Sequence, residues 1–170
     1  RVGPCLKDVT LTNVPMESFA LTATEDVMLM GRCGILVEMA ESPLVEPRPY
    51  FVSYAAENII NWDTTIQDGD EILTLLVLRE QPRRVDERDS FRYQTIEQYR
   101  ELRLNLEDGN LRYTQQIWQR PEDGGEIQEV GPRLMPLRRG EPLPFIPFTF
   151  LGSSAVTTEV KDPPLLDLAN

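Results

Sequence analysis

Histidine is absent from this 170-residue chain, which removes the commonest general base and a frequent metal ligand. Triads that depend on histidine and most zinc sites are therefore excluded within it. Cysteine is scarce as well, since only Cys5 and Cys33 are present and they form no CxxC motif. Two cysteines cannot build a disulfide framework, so we expect both thiols to be reduced and buried, in a protein of a reducing compartment.

Positive charge is also in short supply. The chain has 17 Lys and Arg against 28 Asp and Glu, a formal net charge of −11. Binding that depends on neutralising phosphates needs the opposite balance, so the composition argues against a simple electrostatic nucleic-acid binder. No apolar run approaches the roughly 20 residues that cross a bilayer, and the start has no signal-peptide profile, so we predict no membrane partner.

The composition itself is that of a globular protein, with 41% hydrophobic and 26% charged residues. The chain begins at Arg1 rather than Met, and near its end Asp162 and Pro163 form an N-cap and first-turn pair ahead of apolar residues. This pattern predicts the start of a helix over about 162–170. We therefore expect the 170 residues to be a single segment of a longer protein.

An amphipathic helix is predicted over about 16–31. Its apolar residues recur at spacings of three and four, and Gly31 and Gly34 are natural stops. We expect this apolar face to be core: Met16, Phe19, Ala20, Ala23, Val27 and Met30. Beyond it the pattern becomes β-type, and we predict a β-rich region over about 34–151.

Two hairpins are predicted inside the β-rich region, one turning at Asp68-Gly69 and the other at Asp108-Gly109, because Asp-Gly suits the positive φ angles of tight turns. The second hairpin has a break in phase near Glu97, typical of a bulge or short connection. Between the hairpins, the mixed-charge run Gln81–Ser90 predicts an exposed loop, with a charge-paired subunit contact as the alternative.

The last third is rich in proline, and its apolar run Phe145–Leu151 is predicted to lie at a sheet edge or a crossing. Taken in order, these elements predict an α+β fold. In it, an amphipathic N-terminal helix packs on antiparallel hairpins, and a proline-rich crossing leads into a C-terminal helix.

Candidate chemistry is sparse. The carboxylates of Asp63, Asp68, Asp70 and Glu71 do not follow the ligand spacing of a calcium loop and fit turn residues better. No nucleophile elbow, P-loop or dinucleotide motif is present, so we predict no enzyme, no cofactor, and no catalytic, cofactor-binding or metal residue; a carboxylate-dependent hydrolase is the weakest alternative. Aromatic side chains could form a stacking surface, although cross-strand packing explains them better: Tyr50, Tyr54, Trp62, Tyr93, Tyr99, Tyr113 and Trp118.

Several stretches in residues 31–170 together resemble a family of tailed-bacteriophage portal-like proteins. They occur in the same order as in that family: residues 31–37, Arg48-Pro49-Tyr50, Tyr54, 56–62, 73–80, 98–104, 143–148 and 163–170. The resemblance implies a structural subunit of the portal, the head-tail connector at one capsid vertex through which DNA is packaged and ejected. It assigns no catalytic residue.

The same resemblance implies the partners. They would be further copies in a homo-oligomeric ring, commonly a dodecamer, together with the terminase, the capsid protein and tail adaptors. Double-stranded DNA would pass through the ring without sequence-specific binding. The protein would assemble in the host cytoplasm and remain in the virion. A phage head-completion or tail adaptor module is the alternative.

The acidic charge fits such a conduit, because an acidic lining disfavours the counterion release that holds DNA. We hypothesise that the loop bearing Asp86, Glu87 and Asp89 faces the channel. Normal DNA packaging by charge-reversed variants at these residues would remove the support for that role.

Overall fold

In a computed structural model of the chain, the described residues are 3–40, 47–86, 88–121 and 124–166. The architecture is mostly β, with 50% of residues in strands and 14% helical. The chain divides into two compact units, residues 1–57 with 147–170, and residues 58–146. The helices are α1 (Gly3–Lys7) and α2 (Met16–Met30), and a 3-10 turn spans Ala56–Asn58. The strands are β1 (Arg32–Met39), β2 (Pro49–Ala55), β3 (Ile59–Gln67), β4 (Asp70–Glu80), β5 (Arg83–Val85), β6 (Tyr93–Thr95), β7 (Gln98–Glu107), β8 (Asn110–Gln119), β9 (Gln128–Leu134), β10 (Leu137–Arg138), β11 (Glu141–Pro142) and β12 (Phe148–Gly152).

The first unit packs α2 on a three-stranded antiparallel sheet of order β12-β1-β2. The predicted helix is confirmed to within a residue, and it ends where Gly31, at φ 81°, donates its N–H to the carbonyl of Val27. Its predicted core face is only partly correct, because within α2 only Phe19 and Ala23 are buried. The ring of Phe19 contacts that of Phe51 on β2, with centroids 5.6 Å apart.

The core of the first unit explains the apolar run near the end of the chain. A Cβ on Gly34 would lie 2.1 Å from the ring of Phe148, so only glycine lets this ring lie against β1. Cys33 on the same strand is buried and free, as predicted. Burial, followed by the negative charge of Asp26, raises the pKa of its thiol to about 11. The side chain of Cys5 lies outside the described part of the structure.

Asp8 and Arg48 form an ion pair in the first unit, in which the guanidinium also donates to the Asp8 carbonyl. Burial alone would raise the pKa of Asp8. The hydrogen bond and charge of Arg48, with backbone N–H groups of Thr10 and Asn13, outweigh burial and hold the pKa below its ordinary 3.8.

This pair predicts a pH dependence of stability. Because the folded-state pKa of Asp8 is depressed, its stabilisation is complete above about pH 4 and is lost as the pH falls through the folded-state pKa. Urea midpoints measured between about pH 2 and 5 should therefore fall less steeply in Arg48→Met than in the unchanged protein. Equal slopes in the two proteins would contradict the depressed pKa.

The second unit is built on a five-stranded antiparallel sheet of order β3-β4-β7-β8-β9. Both Asp-Gly turns are confirmed, with positive φ at Asp68, Gly69, Asp108 and Gly109. Alternate residues of the central strands face one core, which contains these buried side chains: Leu76, Leu78, Leu102, Leu104 and Tyr113.

The predicted α+β fold with a C-terminal helix is wrong, since the structure is mostly β. No helix begins at Asp162. Its N-cap signal is outweighed because Pro163 itself precedes Pro164, which disfavours helical backbone at Pro163. The segment instead turns against the end of α2, where Leu165 donates its N–H to the carbonyl of Met28. Residues 167–170 of the predicted helix lie outside the described residues.

Candidate functional site: a hairpin arm and the opposite end of its sheet

The predicted exposed loop between the hairpins is itself a hairpin. Strands β5 and β6 pair antiparallel, and their register continues that of β4 and β7 without a slip, from Glu80 opposite Gln98 to Arg83 opposite Thr95. The N–H of Ile96 donates to the carbonyl of Pro82 across the junction. We call residues 83–95 the arm, because they extend the long β4–β7 hairpin past the sheet.

The strands of the arm are exposed at every residue. Large apolar side chains are nevertheless present: Phe91 is 96% exposed, and Val85 and Tyr93 are each 59% exposed. The guanidinium of Arg83 lies 4.8 Å from the centre of the Tyr93 ring, in cation–π contact. A surface with exposed aromatic groups and arginines has the composition typical of binding interfaces.

Hydrogen bonds at the free end of the arm fix its backbone conformation. The Asp86 carboxylate accepts the N–H of Arg88, and the Asp89 carboxylate accepts the N–H of Phe91. Arg92 forms an ion pair with Asp89 at 3.2 Å. These Asx-type bonds fix the backbone that leads into Phe91.

A polar network lies at the base of the arm. The Glu80 carboxylate accepts hydrogen bonds at 2.7 Å from both Arg100 and Gln98, and Gln119 donates to the Gln98 side-chain carbonyl. Glu80 and Arg100 are largely buried, with side-chain exposures of 15% and 20%. The network ties β4, β7 and β8 together where the arm leaves the sheet. It can keep the direction of the arm fixed relative to the sheet.

The opposite end of this sheet carries the turns at Asp68-Gly69 and Asp108-Gly109. Because β4 and β7 are antiparallel, both turns lie at one end and the arm leaves from the other. We call residues 66–71 and 106–110 the tip surface. These segments contain five acids and no Lys or Arg, and Ile66 and Leu106 are 78% and 71% exposed.

Apart from Asp68, Asp70 and Glu71 in the tip surface and Tyr93 in the arm, the candidate metal-binding and stacking residues from the sequence belong to neither surface. Asp63, Asp68, Asp70 and Glu71 lie on the β3–β4 hairpin, and among the described residues no group of three or more Cys, Asp or Glu could hold a metal ion. Of the candidate stacking aromatics, Tyr113 is fully buried. Tyr99 lies opposite Trp118 on the neighbouring strand. A hydrogen bond to Glu97, more than burial, raises the pKa of Tyr99.

From the sequence we predicted neither the exposure of Phe91 nor the pairing of β5 with β6 that forms the arm. The signal is present in the short spacing of Asp86 and Asp89, each two residues before the N–H that it accepts, since aspartates at such spacing are typical of Asx turns. The network at the arm's base also has a signal. Polar Glu80, Arg100 and Gln98 fall in the alternating phase that elsewhere places leucines in the core.

Comparisons with known proteins give no match to this sequence, either among family models or among curated proteins. The resemblance to portal-like proteins therefore stays a prediction. Within the described ranges, no helix is long and apolar enough to cross a membrane.

Proposed function

We propose that this chain is a structural subunit of a phage portal, a homo-oligomeric ring through which DNA is packaged and ejected. The observation that supports the proposal best is the pairing of an exposed, arginine-rich arm at one end of a sheet with an acidic surface at the other. Subunits with two different contact surfaces associate head to tail, and such contacts generate rings when the rotation closes.

The mechanism is mechanical. Each subunit supplies one wedge of the wall, and the duplex moves through the centre without being held. A chain with net charge −11 suits this role, since it releases few counterions from DNA and binds it weakly. The terminase, capsid protein and tail adaptors would contact the outer faces of the ring in the virion. The ring would have formed in the host cytoplasm.

The channel hypothesis for Asp86, Glu87 and Asp89 stays a prediction. Two of these side chains also accept hydrogen bonds from backbone N–H groups at the free end of the arm. Charge reversal there therefore changes the backbone conformation of the arm as well as its charge. Asp86→Asn and Asp89→Asn are the controls, because each removes the charge and keeps a side-chain oxygen that can accept the N–H. A packaging defect in the charge-reversed variants supports a channel role only when these two variants show it as well.

Electron microscopy of the full-length protein tests the proposal. We expect closed rings with an open axial channel, of twelve subunits as the resemblance implies. Open filaments, or a stable monomer at micromolar concentration in light scattering, would contradict a portal subunit. A monomer that binds assembled heads or tails would instead support the adaptor alternative.

A further inference from the structure

We propose that the arm of one copy docks on the tip surface of a second copy of this chain. The inference deepens the proposed function, on which the closure of the contacts into a ring rests. The contact itself is argued from the charge, the apolar exposure and the geometry of the second unit.

Charge favours this pairing. The arm has four arginines against three acids, a net charge of +1, which leaves −12 for the rest of the chain. The tip surface has a charge of −5, from three acids in residues 66–71 and two in residues 106–110. Arg112 on β8 lies beside it and contacts Glu107 at 3.1 Å and Asp108 at 3.9 Å, which offsets one of these charges and leaves this end of the sheet acidic. A locally positive arm on an acidic protein is attracted to the acidic end of another copy.

The arm and the tip surface both have exposed apolar side chains. Phe91, Val85 and Tyr93 are exposed on the arm, and Ile66 and Leu106 on the tip surface. An apolar centre within a rim of charges is the usual anatomy of a protein interface. Among these residues Phe91 is the most exposed, and we expect it to be the anchor.

Geometry makes the contact intermolecular. Strands β4 and β5 run in one direction from Asp70 to Val85, which at about 3.3 Å per residue separates the two ends by up to roughly 50 Å. The arm therefore cannot reach the tip surface of its own chain. Because the two surfaces differ, the contact is head to tail and leaves one free arm and one free tip surface on every open assembly.

A charge swap in the full-length protein tests the contact. Arg84→Glu with Arg88→Glu, both at exposed positions, changes the charge of the arm from +1 to −3. Asp70→Lys, Glu71→Lys and Glu107→Lys together change the charge of the tip surface from −5 to +1. We expect each set of changes alone to weaken self-association at least tenfold in sedimentation velocity. All five changes in one chain should restore most of the association, and salt should weaken the unchanged contact.

The anchor has its own variant and control. Phe91→Ser is expected to weaken self-association at least tenfold. Leu21→Ser, which removes a side chain 62% exposed in the other unit, should leave self-association unchanged. Circular dichroism of each variant checks that the fold is kept. Association that is unaffected by Phe91→Ser, or not recovered in the five-change protein, would overturn the inference.

The outcomes separate this inference from the proposed function. Closed rings whose stability ignores the charge swap would overturn the arm contact and leave the portal proposal standing. Filaments or small oligomers that follow the swap would support the contact and contradict the portal. A protein that stays monomeric at low salt and high micromolar concentration would overturn both.

Discussion

Replacing Gly31 with alanine is expected to destabilise the first unit by about 3 kcal/mol, from a positive φ that costs about 1 kcal/mol and a steric clash that costs the remainder. A Cβ at this position would lie 2.3 Å from the carbonyl oxygen of Lys161 and 3.3 Å from the nitrogen of Pro163. Both atoms belong to backbone, so the clash is relieved only by moving the chain near residues 161–163 away from the helix end.

Gly140→Ala is the matched control. Gly140 has a similar φ of 86°, but among the described residues no atom beyond its own chain neighbours lies within 4 Å of the position that its Cβ would take. This variant should cost only the conformational part, about 1 kcal/mol. Urea unfolding measures the free energy of unfolding of the first unit in Gly31→Ala and of the second unit in Gly140→Ala. Equal costs would contradict the packing of the 161–163 segment on the end of α2.

Leu102→Ala is expected to destabilise the second unit by about 3 kcal/mol, within the 2 to 5 kcal/mol range for leucines removed from a core. Leu102 lies at the centre of β7, is 0% exposed, and faces Leu76 on β4. The central strand is held on both sides by neighbours, so its surroundings cannot easily collapse into the cavity left by the missing side chain.

Leu106→Ala is the control for that variant. It removes the same atoms from the same strand on the same side, four residues further along, where the side chain is 71% exposed. Its free energy of unfolding should stay within about 0.5 kcal/mol of the unchanged protein. Denaturant titrations of the two variants that gave equal losses would contradict the assignment of this sheet face to the core at Leu102.

Local signals in the sequence were enough to predict several parts of the fold. The helix ending at Gly31 and the turns at Asp68-Gly69 and Asp108-Gly109 were predicted correctly, because each depends on a residue that tolerates an unusual φ. The short connection predicted near Glu97 is found between β6 and β7, although the register continues across it and no bulge is formed there.

The errors arose where local signals compete or where pairing is long-range. Asp162 is a good helix N-cap, but the adjacent prolines outweigh it, and no helix begins there. The mixed-charge run after Glu80 was predicted to be exposed, and its described residues are exposed except Asp86 and Asp89, which are partly buried. Its strands were missed because they are fixed by the register of β4 on β7, which no local pattern contains.

The arm and the tip surface could not be predicted for the same reason, since both depend on long-range strand pairing or on local hydrogen bonds. The acids at the two turns are visible in the sequence as turn residues, and only the antiparallel pairing of β4 with β7 places them at one end of the sheet. Phe91 reads as the first residue of a strand. Its exposure follows from the hydrogen bonds of Asp86 and Asp89, which turn the chain before β6 begins.

Mixing two defective variants of the full-length protein tests the central claim, head-to-tail association, most directly. Phe91→Asp removes the anchor of the arm, and Ile66→Asp with Leu106→Asp removes the apolar part of the tip surface; all three side chains are exposed, so the fold should be kept. Each variant alone should sediment as a monomer. An equimolar mixture should form a complex of one copy of each, because it retains one intact arm and one intact tip surface. A mixture that contains only monomers, although the unchanged protein assembles, would contradict the account.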